Sequence, residues 1–263
     1  MNWTNNAYGD SPFAECPLLQ EIILPEGMTV LPGNAFTNIK SLPVIQIPES
    51  VTEIGDKAFS GSGLTEIELP DHIHTMGTQV FQNCTELTRV KLPAGFDNVP
   101  EYTFDGCTKL TDVELPDGLL YVNEAAFQNC KALASIDLPQ TVQILYRYAF
   151  TGCESLKEMV FPADLYLIGH RAFADCTALE TVVTSQALTG VGSHAFYNCK
   201  NLKSVTLNHG MTYIPESCFQ NCTSLTEIVI PYSVTKISAN AFKNAAKLAK
   251  VVTHGNLTSI DNT

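Results

Sequence analysis

The sequence predicts an α/β-type solenoid: a right-handed superhelix of about eleven turns of 23 residues, with parallel β-strands on a concave face and short helical or 3₁₀ turns on the other side. Three observations predict it. Phenylalanine recurs at Phe13, Phe36, Phe59, Phe81, Phe104, Phe127, Phe150, Phe173, Phe196, Phe219 and Phe242, and every interval is 23 residues except one of 22. Cysteine follows three residues later at Cys16, Cys84, Cys107, Cys130, Cys153, Cys176, Cys199 and Cys222. Each unit then runs Leu-x-x-Val-x-Leu-Pro, as from Leu110 to Pro116.

Each element of the turn follows from its residue pattern. The alternation in Leu-x-x-Val-x-Leu has the period of a half-buried strand, and the proline after it removes a ladder donor, so one short strand per turn is predicted. Aliphatic residues return fifteen and eighteen places after the phenylalanine, as at Val51 and Ile54 or Leu165 and Ile168, and close the apolar interior. Acids such as Asp56, Glu101, Glu124 and Glu216 precede the phenylalanine. Acids there suit a helix N-terminus, which predicts a helical or 3₁₀ turn driving the ring inward. Gly106 before Cys107 and Asn129 before Cys130 then reverse the chain. No turn buries its apolar residues alone, so the repeats stack as one cooperative unit spanning 13–263, with 1–12 as a lead-in or cap containing Trp3 and Tyr8. The last repeat stops at Ile260-Asp261-Asn262-Thr263, which predicts a truncated array whose open final strand offers an edge for self-association.

Composition narrows the function. The 263 residues carry 15 Lys and Arg against 27 Asp and Glu, a formal net charge of -12, which repels phosphate backbones and disfavours nucleic acid as a partner. No run of eighteen apolar residues is present to insert in a membrane. Nine cysteines are an odd number, and the 23-residue spacing of eight of them lacks the close pairs of zinc sites. The ladder is read as small buried residues satisfying nearby backbone, with no metal or cofactor; Cys218 takes the place of the alanine that usually precedes the phenylalanine.

The unit Ala126-Phe127-Gln128-Asn129-Cys130, continued through Leu145, resembles the BspA-type leucine-rich repeat, and the resemblance covers nearly the whole chain. It implies a bacterial cell-surface or secreted protein, one domain of a larger architecture, engaged in adhesion to host or neighbouring cells. It implies no catalytic residue. Departures are local: Ser185, Asn208 and His254 replace the proline, cysteine is missing after Phe36, Phe59 and Phe242, and the short turn loses a residue in Ser60-Gly61-Ser62-Gly63, where a kink or tightened loop is expected.

Candidate chemistry is sparse. No nucleophile elbow, glycine-rich phosphate loop or His-Glu metalloprotease motif is present. His72 and His209 share an offset but lie six turns apart, whereas His170 and His194 lie on adjacent turns at nearly matching positions. The stronger functional signal is in the strand residues that point outward, eight and ten places after each phenylalanine. One column holds Glu68, Lys91, Glu114, Asp137, Val160, Val183, Thr206, Val229 and Val252; beside it stand Glu66, Arg89 and Asp112. The column changes from charged to β-branched halfway. A contiguous apolar strip on an acidic protein marks a contact surface for protein or glycan, and the adjoining acids favour a basic partner. The expectation is a non-catalytic recognition module; the alternatives are a structural spacer or a targeting domain of a larger surface protein.

Overall fold

The computed structural model describes residues 11–261. It is a parallel-strand solenoid of about ten turns. The phenylalanines stack ring on ring along its interior, from Phe36 to Phe242 at centroid spacings of 5.2 to 5.6 Å. Successive strands stand about 4.8 Å apart, so identical apolar positions from neighbouring turns fill one continuous core.

Most turns carry two strands where one was expected; the turns after Phe13, Phe36 and Phe127 carry only the second. The first falls on the predicted segment and pairs in register with the next turn, as Glu66–Glu68 with Arg89–Lys91 and that with Asp112–Glu114. The second covers the aliphatic eighteen places after the phenylalanine and the residue before it. From Asn98–Val99 it runs without interruption through Tyr121–Val122, Ile144–Leu145 and Leu167–Ile168 to Gly190–Val191. Two residues are too few for alternation to show in sequence.

The helical turn is not present: no residue among those described is helical. The backbone instead passes through the left-handed region at two positions per turn, two before and two after the phenylalanine, as at Ala125 (φ 53) and Asn129 (φ 58) around Phe127. The N–H of Ala126 bonds to the carbonyl of Asn123, and that of Cys130 to Phe127, each across one such residue. These are four-residue turns with positive φ at the third place, the requirement of type II. Every second N–H therefore points along the solenoid axis. Those of Ala125, Phe127 and Asn129 donate to the carbonyls of Arg147, Ala149 and Thr151 at 2.7 to 3.0 Å. A helix would have directed these donors back along its own chain; the stack uses them to tie one turn to the next.

The cysteines complete this corner. Cys107, Cys130, Cys153, Cys176, Cys199 and Cys222 are buried and each donates its Sγ–H to the phenylalanine carbonyl of the preceding turn at 3.1 or 3.2 Å. Burial pushes the thiols up, Cys84 to about 11 and Cys153 to about 12. In the short turn Ser62 takes the cysteine place, with its Oγ 3.4 Å from the Cys84 sulfur. The loop there is tightened, not kinked: Phe59 and Phe81 still stack at 5.5 Å. A side chain at Gly63 would meet the Lys40 carbonyl oxygen at 2.0 Å. Trp3 and Tyr8 lie outside the described residues; Ser11, at the end of the lead-in, is buried and donates to the Ala35 carbonyl at 2.6 Å.

Candidate recognition surface

The outward column predicted from the strand alternation is outward in the structure. In Glu158–Val160, Thr181–Val183, Ser204–Thr206 and Glu227–Val229 the middle residue is buried and the outer two are exposed. Register places Val160 beside Val183 and Val183 beside Thr206, and separately Val229 beside Val252. Val160 is 74% exposed, Val183 56% and Val229 49%, while Val252 is half-buried. Nothing in the fold requires these aliphatic groups to face solvent.

The charged half is organised around Arg89. Its guanidinium reaches Asp112 at 3.2 Å and Glu68 at 3.5 Å, and closes on Glu114 from the next turn. The hydrogen bond and charge of Glu114, helped by Glu68 and Asp112, hold Arg89 above its usual range. Lys91 stands in register between Glu68 and Glu114, and Glu66 beside Arg89. With six members named, four are acids and two are bases, so the cluster keeps a negative balance that its bases do not cancel. Asp137 is exposed but belongs to no strand, because Ser135–Asp137 pairs with neither neighbour. The break falls between the charged half and the β-branched half.

The two histidines that adjacency singled out do meet. The rings of His170 and His194 lie 5.6 Å apart, whereas His72 is engaged elsewhere, 3.0 Å from Glu49. Among the described residues no three His, Cys, Asp or Glu side chains are gathered to hold a metal ion, and no helix is long and apolar enough to cross a membrane. Sequence reasoning missed the aromatic company of the histidine pair: Tyr148 against His170 at 5.5 Å and Tyr197 against His194 at 5.6 Å. Tyr148 and His194 share an offset two places before the phenylalanine, but His170 and Tyr197 stand at two others, so no single column of the sequence displays the four.

A stack of similar turns that bonds its backbone from one turn to the next and leaves two side-chain columns outward is a repeat scaffold. The chain belongs to the BspA-type leucine-rich-repeat family, whose repeat model matches residues 6–104, 86–170 and 143–263 in six copies. Among solved structures it is similar to a leucine-rich repeat protein from Bacteroides ovatus, 26% identical over 96% of this chain and 71% of that one, with a TM-score of 0.83. A leucine-rich repeat protein from Eubacterium ventriosum is 21% identical over 83% of this chain and 77% of that one, TM-score 0.61. The pneumococcal vaccine antigen PcpA is 18% identical over 98% of this chain and 80% of that one, TM-score 0.56; these last two show the fold alone. No curated protein matches the chain.

Proposed function

We propose that this protein is a non-catalytic recognition module of the cell surface or secreted fraction, and that it binds a partner protein through the outward face of its first strands. The observation that carries the reading is the exposed aliphatic pair Val160 and Val183, followed beyond Thr206 by exposed Val229 and half-buried Val252, on a chain of net charge -12. Water-exposed aliphatic side chains gain free energy when covered, at about 25 cal/mol per Å² of apolar surface removed from water. The acids Glu66, Glu68, Asp112, Glu114 and Asp137 lie further along the same face, which suits a partner that pairs an apolar patch with a basic one. A flat aliphatic strip offers little to a sugar and more to a protein, which narrows the choice left by the sequence.

The test is an array of purified extracellular-matrix proteins probed with wild type and with a variant carrying Val→Thr at positions 160, 183, 229 and 252, at equal folded content. Loss of the wild-type hits in the variant, together with a weaker salt dependence for Glu114→Lys with Asp137→Lys, supports the reading. Unchanged hits overturn the face assignment. Absence of any hit favours a spacer that holds other domains apart.

A further inference from the structure

The chain has only three arginines, and two of them converge on the corner of the solenoid just before the phenylalanines. Arg89 is enclosed by acids on the first-strand face. Arg147 and Arg171 instead flank His170. Arg147 holds Glu124 at 2.6 Å through one guanidinium nitrogen. Arg171 lies with its guanidinium carbon 5.4 Å from the Tyr197 ring centroid and has no carboxylate partner among the described residues. A row of rings runs past it from Tyr148 to His170, His194 and Tyr197, each 5.5 or 5.6 Å from the next. His170, Arg171, His194 and Tyr197 are all half-exposed.

The two imidazoles stand beside arginines in an otherwise acidic chain. Burial comes first in lowering the pKa of His170, and Arg171 and Arg147 lower it further. Burial and then Arg171 and His170 lower His194, with Glu216 the weaker opposing influence. Arg147 is itself paired with Glu124, which leaves Arg171, among the described residues, as the unpaired cation beside both imidazoles. His194 also keeps a buried Nδ1 without a hydrogen-bond partner, and His170 Nδ1 is 2.8 Å from Ser193 Oγ.

We propose that this corner is a second binding site, separate from the first-strand face, and that it takes an acidic saccharide, a sugar bearing a carboxylate. The free fork of Arg171 matches a carboxylate with two parallel N–H donors. Tyr197 backs the Arg171 guanidinium, the ring of Tyr148 accepts the apolar side of a pyranose, and the tyrosine hydroxyls and imidazoles serve the sugar hydroxyls. A strongly acidic peptide fits less well. It would need a longer basic strip than two arginines between Glu124 and Glu216, and its accumulated charge would be repelled by the rest of the chain. A uronate or sialate brings one charge with each ring. Its carboxylate favours the charged form of His170 and His194, so binding takes up protons and tightens as pH falls through the histidine range.

The experiment is isothermal titration at low salt with three carboxylated probes, oligogalacturonate, a hyaluronan oligosaccharide and sialyllactose, at pH 7.5 and 5.5. Binding of at least one probe is expected, several-fold tighter at the lower pH. Methyl esterification of that probe should weaken it at least tenfold, as should Arg171→Gln, with partial recovery in Arg171→Lys. His170→Gln with His194→Gln should abolish the pH dependence. Circular dichroism melts verify that the variants fold, and the esterified probe tests the charge requirement on unaltered protein. The proposal is overturned if none of the three probes binds, if esterification or Arg171→Gln leaves affinity unchanged, or if polyglutamate of equal charge binds as well.

Discussion

The phenylalanine corner and the strand side of the solenoid are built from the same repeat, yet one is continuous and the other is interrupted. At the corner, the donors two before, at and two after each phenylalanine reach the next turn without a gap from Asn34 to Asn221, at 2.6 to 3.1 Å. Along the first strands, pairing stops between Asp112–Glu114 and Glu158–Val160 and again between Ser204–Thr206 and Glu227–Val229, and the second strands stop between Thr75–Met76 and Asn98–Val99 and again between Gly190–Val191 and Tyr213–Ile214. The interruptions do not coincide: the second strands pair through 121–168, where the first strands part, and the first strands pair through 66–114, where the second strands part. Cohesion is thus concentrated at the corner, and the strand side is left free to vary its outward residues.

That contrast can be broken or sharpened by measurement. The largest difference concerns thiol reactivity. Thiolate is the reacting form, and burial holds the ladder thiols protonated, Cys153 up at about 12. A colorimetric thiol reagent should label Cys16 rapidly in the native protein and the eight buried cysteines only on unfolding. Fast native labelling of several thiols would show that the corner opens readily. Next, Phe127→Ala removes a ring stacked between Phe104 and Phe150 and should cost about 3 to 5 kcal/mol in denaturant unfolding. Phe242→Ala, at a partly buried position, should cost clearly less.

Smaller effects follow. Gly63→Ala places a methyl group against the Lys40 carbonyl and should cost about 1 to 3 kcal/mol. For the histidine corner, the folded pKa values of His170 and His194 are lowered, so the unfolded chain takes up protons first as pH falls. Stability is therefore complete above the unfolded histidine value, about 6.5, and declines below it. The melting temperature of wild type should fall more between pH 7 and pH 5 than that of the variant with both histidines replaced by Gln; equal slopes would remove these groups from the balance. Smallest of all, Val160→Thr with Val183→Thr should change stability by no more than about 0.5 kcal/mol, because both residues already face water. A large loss would mean that this face is structural and not free for recognition.

What sequence alone determined is the period, the buried columns and the outward column, because each depends only on a repeated choice between apolar and polar at a fixed place. The left-handed residue after each phenylalanine was equally legible: Asn38, Asn83, Gly106, Asn129, Gly152, Asp175, Asn198 and Asn221 are the residue types that tolerate positive φ. Two places before the phenylalanine the same conformation is held by Lys57, Gln79, Tyr102, Ala125 and Arg171, which announce nothing. Stacking imposes it, since only that backbone aims alternate N–H groups at the next turn and gains a hydrogen bond for each. Tertiary structure also decided that the helical turn gives way to tight turns, that Ser135–Asp137 leaves the sheet, and that Tyr148, His170, His194 and Tyr197 form one row. Each of these depends on at least one contact about 23 residues apart in the chain. Local propensity does not encode such contacts; they exist only once the turns are stacked.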